Sequence, residues 1–308
     1  MPKLAESGAI STDWLKLSVS VPADAVDLSE NALWFAGATS ISVLDAGDSP
    51  ILEPHAGTTP IWPYCRIEAL FSVPGTDRQR LLEHLQMQLT HGHDWQFLEL
   101  ADRDWQREWM HDWLPLRFGE RLWIYPSHHQ PPDTHTSVVF LDPGLAFGSG
   151  THATTALCLE WLDAQTLHQR TVLDYGSGSG VLAIAALVLG AQSALAVDND
   201  PQALQATRDN AERNGVGAQL SVLSDEPWRN PRVDTVVANI LAGPLVQLAP
   251  RLAASHRQGG ALALTGILHD QQQQVRSAYS GWYAFDKPEV RDSWVLLKGT
   301  RNAHRVND

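Results

Sequence analysis

The chain has 308 residues, of which 44% are hydrophobic and 19% charged, and a formal net charge of −13 at pH 7. This length can bury the cores of two domains, and the composition is that of an ordinary soluble protein. The acidic balance argues against nonspecific attraction to nucleic acid, which needs clustered Lys and Arg, and favours a basic partner, unless the charge serves only solubility.

The sequence also predicts a cytoplasmic protein that is neither secreted nor inserted in a membrane. Its first residues lack a basic region followed by an apolar stretch, and no run reaches the ~20 apolar residues of a membrane span. The two cysteines, Cys65 and Cys158, lie far apart in apolar surroundings. We interpret them as reduced core thiols because a disulfide framework would need more cysteines in a closer pattern.

Residues 1–100 predict a small α+β domain with the element order of the ferredoxin-like fold. Alternating apolar and polar residues predict strands, and helical spacing predicts two helices. The order is β–α–β–β–α–β, with elements at residues 14–21, 24–35, 39–44, 64–73, 77–89 and 95–100. This part of the sequence has no glycine loop and no nucleophile with a base, so we expect it to hold a partner.

Residues 101–125 are expected to form a linker helix and a connector. Trp105, Trp109 and Trp113 recur at every fourth position, an aromatic stripe that we interpret as a packing surface rather than a ligand platform. The His- and Pro-rich stretch at 127–136 predicts an exposed loop. No metal site is expected, since the histidine pairs lack Cys or carboxylate partners at ligand spacing.

Residues 126–308 predict an α/β domain with a doubly wound parallel sheet. From residue 171 onward, apolar runs typical of buried strands alternate with helical patterns. Pro201 and Gly215 fit the start and the end of one of these helices. Strands are predicted at 171–174, 194–197, 219–223, 233–238, 261–265, near 283 and at 294–298. Helices are predicted after the first strand up to residue 189, at 201–214, after the fourth strand up to residue 254, and between 265 and 283.

Three glycines follow the first strand of this second part. The run ends in Asp174, and Gly176, Gly178 and Gly180 stand at alternate positions. Glycine lets the backbone approach a ligand closely and turn tightly into a helix. A dinucleotide fingerprint would place its third glycine where Val181 stands, so NAD is disfavoured. A tight turn without a ligand is the alternative.

Two further strand ends complete the predicted pocket. Asp198 follows the next apolar run, 22 residues after Gly176, near the separation (~20 residues) at which a carboxylate meets ribose hydroxyls. Asn239 follows a later run and is expected at the same sheet edge. Together with Asp174 and the glycine loop, these residues predict a pocket for an adenosyl cofactor.

Several segments resemble those of a known family. Residues 142–155 read D-P-G-L-A-F-G-S-G-T-H-A-T-T, residues 104–110 and 117–123 read D-W-Q-R-E-W-M and R-F-G-E-R-L-W, and residues 239–244 read N-I-L-A-G-P. Over nearly its whole length the chain resembles the ribosomal protein methyltransferases that modify the eleventh protein of the large subunit. Ser149 and Ala153 depart from the usual Thr and Pro, which changes loop stiffness more than chemistry.

The resemblance implies a Rossmann-like class I methyltransferase domain, joined by a linker helix to a small domain that docks the ribosomal protein. It implies S-adenosylmethionine as the donor, and methylation of the N-terminal α-amine and of lysine ε-amines. It also implies that Thr155, Gly176, Asp198 and Asn239 contact the cofactor. Thr155 stands near a predicted helix start, so stabilising that helix is its alternative role.

Methylation of an amine requires a neutral nitrogen. At pH 7 only about 0.04% of a lysine of pKa ~10.4 is neutral, so deprotonating its ammonium group costs roughly 4.6 kcal/mol. Deprotonating an α-amine of pKa ~7.8 costs about 1 kcal/mol. Because a nearby carboxylate would favour the ammonium form, the site needs a neutral acceptor, and Asn239 is the predicted catalytic residue. Residues 147–151 are predicted to form a lid, with a rigid loop as the alternative, and His152 is given no catalytic role.

Two other functions fit the same pocket. Methylation of exocyclic base amines in RNA would need basic and stacking surface on the N-terminal half, which offers few cations. A non-catalytic protein that binds S-adenosylmethionine and a partner is the other alternative. We expect neither membrane association nor direct binding of nucleic acid.

Overall fold

The computed structural model describes residues 12–47, 51, 60–72, 78–101, 114–142, 152–226 and 231–303. Contacts divide the chain into two compact units, Met1–Glu108 and Trp109–Asp308. Within the described ranges, no helix combines the length and apolarity that crossing a membrane requires. The predicted tryptophan-bearing linker helix and the predicted lid lie outside these ranges.

In its described residues, the N-terminal unit is a four-stranded antiparallel sheet with two helices. Its elements are β1 (Thr12–Pro22), α1 (Val26–Phe35), β2 (Ser40–Asp45), β3 (Tyr64–Ser72), α2 (Arg78–Gln88) and β4 (His93–Ala101). The strands lie in the order β2-β3-β1-β4, and all neighbours are antiparallel. The element order is the predicted one, except that a 3₁₀ turn at Ala23–Ala25 occupies the expected start of the first helix.

The core of this unit lies between the sheet and the helices. Leu17 of β1, Leu33 of α1 and Leu85 of α2 are fully buried in one cluster, because alternation along the strand turns every second side chain towards the helices. Lys16 points the other way, and its ammonium pairs with the Glu68 carboxylate at 3.1 Å. The sheet therefore has a covered apolar face and an open, partly charged one.

The C-terminal unit begins with a small sheet that the sequence did not predict. It consists of β5 (Leu116–Phe118), β6 (Leu122–Tyr125) and β7 (Ser137–Phe140), in that order. The backbone N–H and C=O of Phe140 are both hydrogen-bonded by the Asn214 side chain, at 2.7 and 2.8 Å. Strands of three or four residues are too short for a reliable alternating pattern.

The central sheet of this unit contains the predicted strands. Its members are β8 (Thr171–Tyr175), β9 (Ser193–Asp198), β10 (Leu220–Ser224), β11 (Val233–Asn239), β12 (His256–Leu268), β13 (Tyr283–Phe285), β14 (Glu289–Arg291) and β15 (Trp294–Arg301). The main order is β10-β9-β8-β11-β12-β15-β13, and β14 pairs with β15. The strands from β10 to β12 in this order are parallel, and β13, β14 and β15 pair antiparallel. Strand β12 is longer than predicted, and β14 was not predicted.

Helices cover both faces of the central sheet. They are α3 (Ala153–Asp163), α4 (Val181–Val188), α5 (Pro201–Arg213), α6 (Ala242–Ser255) and α7 (Gln272–Tyr279). Val172 of β8 packs in the cluster that contains α3 and α4, whereas its neighbour Leu173 packs in the cluster of α6 and α7. This confirms the doubly wound α/β architecture. Cys65 and Cys158 are buried free thiols, one in each unit.

Candidate active site

The predicted glycine loop forms the turn from β8 into α4. Gly176, Gly178 and Gly180 have φ values of +78°, +54° and +79°, which side chains rarely tolerate. A Cβ on Gly176 would overlap the Ile240 side chain, and one on Gly180 would lie 2.8 Å from a methyl carbon of Thr207. The loop thus needs glycine both for its conformation and for close packing.

Asp174 lies beneath this loop rather than among the residues that line the cleft. Its side chain is fully buried, and Oδ2 accepts a hydrogen bond of 3.1 Å from the backbone N–H of Ala183 in α4. Oδ1 is buried and has no hydrogen-bond partner among the described residues. Burial raises the pKa of this carboxyl to about 7. Asp174 therefore ties the glycine loop to the first turns of α4.

Asp198 ends β9 and lines a cleft of about 730 Å³ at the carboxyl ends of the parallel strands. Its Oδ2 accepts from the backbone N–H of Gly178 at 2.9 Å, and its Oδ1 accepts from the N–H of Asp200 at 3.0 Å. The carboxylate is thus held at the rim of the cleft beside the loop.

Asn239 ends β11, the strand that pairs with β8, and also lines the cleft. Its side-chain Nδ2 donates a hydrogen bond of 3.3 Å to Oγ1 of Thr155, in the first turn of α3. Thr155 is fully buried and does not line the cleft, whereas its neighbour Thr154 does. The structure therefore places Thr155 behind Asn239.

His152 caps the N-terminus of α3 and lines the same cleft. Its Nδ1 lies 2.7 Å from Oγ1 of Thr154 and accepts from the Thr154 backbone N–H at 3.4 Å. The imidazole meets the ring of Trp294 edge to face, with centroids 5.2 Å apart. Nδ1 of His152 is therefore used to cap the N-terminus of α3.

Sequence reasoning missed another polar group that lines the cleft. Asp225 directly follows β10 and lines the cleft together with Tyr175. The Tyr175 hydroxyl donates to Asp225 Oδ1, and Arg251 of α6 donates to Oδ2 at 3.2 Å and to the backbone oxygen at 2.6 Å. Burial and the Asp225 carboxylate raise the Tyr175 pKa above its usual range. An acid directly after a strand, the signal that identified Asp198, could have found Asp225.

The residues of the cleft fit an adenosyl cofactor. One part is the rim carboxylate of Asp198 and the glycine loop, and another is apolar, with Val197, Ile240 and Leu241. Asn239 adds a neutral polar side chain. Together with parallel strands in the order β10-β9-β8-β11-β12, this site defines a class I S-adenosylmethionine-dependent methyltransferase.

Comparisons with known proteins agree with this class and identify the family. The family profile for ribosomal protein L11 methyltransferase (PrmA) matches residues 13–302. Ribosomal protein L11 methyltransferases from Azotobacter vinelandii and Pseudomonas paraeruginosa are 51% and 50% identical over 293 residues, covering 94% of this chain and 99% of each relative. The chain belongs to the ribosomal protein L11 methyltransferase family.

A solved structure supports the same assignment. The crystal structure of ribosomal protein L11 methylase from Lactobacillus delbrueckii subsp. bulgaricus has a TM-score of 0.56 and 31% sequence identity to this chain. The match covers 62% of this chain and all of that one. The resemblance predicted from the sequence is confirmed, and the enzyme is a protein methyltransferase that uses S-adenosylmethionine.

Proposed function

We propose that this enzyme transfers methyl groups to the N-terminal α-amine and to lysine ε-amines of ribosomal protein L11. The observation that carries the proposal is the family match over residues 13–302, which includes both units. The relatives at 50% and 51% identity are named ribosomal protein L11 methyltransferase. The amine substrate also agrees with a neutral acceptor, Asn239, at the cleft.

Asn239 is the proposed catalytic residue. S-adenosylmethionine, when bound, supplies a methyl group on a sulfonium and leaves as a neutral thioether, so no acid is needed to protonate the leaving group. The amine must instead present a lone pair, and the amide oxygen of Asn239 can accept an amine N–H without adding charge. The bond from Nδ2 to Thr155 directs this oxygen away from the helix. Orienting the nitrogen towards the methyl carbon can contribute as much as ~7 to 11 kcal/mol.

The cofactor contacts proposed for this chain follow from the same geometry. Gly176, Gly178 and Asp198 line the cleft and would bind the cofactor directly. Asp174, Gly180 and Thr155 lie behind the lining residues and would act through them, by packing or hydrogen bonding. Each of these roles is a proposal about this chain.

The N-terminal unit is the proposed docking domain for the ribosomal protein. Residues 1–108 contain 16 Asp and Glu but only seven Lys and Arg. Ribosomal proteins contact RNA phosphates and are correspondingly basic, so charge complementarity would favour and steer the encounter. The proposed domain bounds are 1–100 for the docking domain, 101–125 for the linker helix and a connector that contains β5 and β6, and 126–308 for the methyltransferase domain. Because the proposed substrate is a ribosomal protein, we also propose that the enzyme acts in the cytoplasm.

Incubation of the purified enzyme with tritiated S-adenosylmethionine, purified L11 and ribosomal RNA tests the proposal. We expect label in L11, and mass spectrometry should locate it on the α-amine and on lysines. Label in the RNA would instead support base methylation. Cofactor binding in calorimetry without label in either substrate would identify a non-catalytic binding protein.

A further inference from the structure

Helix α1 of the N-terminal unit leaves three large apolar side chains exposed. Val26, Ser29 and Leu33 turn towards the core. On the remaining surface, Leu28 is 58% exposed, Trp34 51% and Phe35 87%. Leu28 and Phe35 are seven residues apart, which places them two turns apart on the same side of the helix. Exposed apolar side chains grouped on one helix, rather than scattered singly, are typical of an interaction surface.

Helix α1 and the chain on either side of it carry acidic residues. From residue 17 to residue 65 the chain has six Asp and Glu and no Lys or Arg. Asp24 and Asp27 are exposed in the 3₁₀ turn and first turn of this helix, and Glu30 follows one turn later. Apolar side chains close in sequence to carboxylates fit a partner whose own apolar residues lie among Lys and Arg.

The open face of the sheet is a poorer match for such a partner. Its acid Glu68 is already paired with Lys16, and the exposed Arg66 adds a second cation. Leu98, across from Lys16 in the strand register and 52% exposed, supplies an apolar side chain on this face. A basic partner would meet like charges there, whereas α1 itself has no Lys or Arg.

We propose that the outer face of α1, comprising Asp24, Asp27, Leu28, Trp34 and Phe35, is the surface on which the basic ribosomal protein docks. The proposal rests on the proposed function and specifies which face of the N-terminal unit recognises the substrate. A second copy of this chain is the less suitable occupant, because two such acidic faces would repel each other. Docking here would hold the substrate through residues other than those that line the cleft.

Steady-state methylation of purified L11 by full-length variants tests this surface. The double variant Leu28→Ser/Phe35→Ser should raise KM for L11 about tenfold or more, since exposed anchors of this kind dominate interface energetics. Its kcat and its calorimetric affinity for S-adenosylmethionine should remain within about twofold of the wild type. Leu98→Ser, a matched apolar change on the open sheet face, should leave KM unchanged.

A second pair of variants tests the charge contribution. Asp24→Asn/Asp27→Asn should raise KM for L11 at low ionic strength and should make KM less dependent on salt than in the wild type. Because both side chains are exposed, the substitutions should not impair folding.

Distinct results would overturn the proposal. An unchanged KM in Leu28→Ser/Phe35→Ser would eliminate α1 as the docking surface, and a raised KM in Leu98→Ser alone would move docking to the sheet. If sedimentation showed that the wild type is a dimer and that Leu28→Ser/Phe35→Ser is a monomer, α1 would be assigned to self-association. A wild-type enzyme that does not methylate L11 at all would overturn the proposed function as well.

Discussion

The side-chain nitrogen of Asn239 donates a hydrogen bond of 3.3 Å to the hydroxyl oxygen of Thr155, 84 residues earlier in the chain. Asn239 ends a central strand and lines the cleft, whereas Thr155 is fully buried in the first turn of α3. The amide N–H₂ is thus engaged by the protein, and the proposed role of this bond is to orient the amide oxygen towards an amine substrate. One side chain meets the cleft, and the other fixes its orientation.

Replacing the buried partner should therefore affect turnover more than binding. Thr155→Val preserves shape but removes the acceptor for Asn239, so we expect kcat to fall about tenfold while the Kd for S-adenosylmethionine changes less than about threefold. Single-turnover methylation and calorimetry measure the two quantities. Thr171→Val, which loses a hydrogen bond to Asp234 at the other end of β8, is the matched control and should keep its kcat. Equal losses in both variants would show a general packing effect.

Removing the amide itself should have a larger effect. Asn239→Ala should reduce turnover by ~10² or more and leave cofactor affinity within about tenfold, because it removes the acceptor that orients the amine. The same assays apply, with L11 at saturating concentration. If affinity and turnover fell by the same factor, Asn239 would serve cofactor binding alone.

The sequence predicted which residues lie at the carboxyl ends of the parallel strands. It did not predict which of their side chains line the cleft and which are buried behind it. Gly176, Asp198 and Asn239 follow apolar runs, and all three line the cleft because parallel strands end at a common edge. Asp174 and Thr155 occur in equally suggestive motifs, yet they lie behind the lining residues. Spacing along one strand does not tell whether a polar residue faces the cleft or the packing beneath it.

Contacts between distant segments were the least predictable part of the site. Arg251 comes from the middle of α6 and reaches Asp225, 26 residues earlier. An arginine in an amphipathic helix is most simply interpreted as solvent-facing, and its partner depends on how that helix packs on the sheet. The contact between Arg251 and Asp225 was missed for this reason.

Gly180 offers a direct test of close packing beneath the loop. Gly180→Ala should lower the free energy of unfolding by about 2 to 4 kcal/mol, because positive φ strain and a collision with Thr207 both oppose a Cβ. Urea unfolding measures the loss. Gly190→Ala, with positive φ but no atom within 4 Å of the added Cβ, isolates the strain and should cost less. Adding Thr207→Ser, which removes the nearest methyl, should recover part of the loss, and no recovery would contradict the packing argument.

The raised pKa of Asp174 predicts that its contribution to stability decreases as pH rises, opposite to that of most carboxylates. Burial raises its pKa to about 7, whereas the unfolded chain releases this proton near pH ~4. Between these values the folded state keeps a proton that the unfolded state has lost, so this residue makes the unfolding free energy fall as pH rises. Asp174→Asn cannot titrate. The stability of the variant minus that of the wild type should increase from pH 4 to 7, by up to about 1.4 kcal/mol per pH unit, and then level off. A difference that does not vary with pH would show that folding does not raise the pKa of Asp174.

His256 should act with the opposite sign in nearly the same range. Its ring is buried between the Tyr283 hydroxyl and the backbone oxygen of Asp234, each 3.1 Å from a ring nitrogen, and burial lowers its pKa to about 4. From pH 6.5 down to 4 the unfolded state gains a proton that the folded state does not bind, so stability falls as pH decreases. His256→Gln should remove this acid sensitivity. In urea unfolding between pH 4 and 7.5, the free energy of unfolding of this variant should fall less steeply towards acidic pH than that of the wild type. Because the contribution of Asp174 opposes that of His256, Asp174→Asn should make the free energy of unfolding fall more steeply towards acidic pH. If both variants changed this pH dependence in the same direction, the opposite contributions proposed for Asp174 and His256 would be wrong.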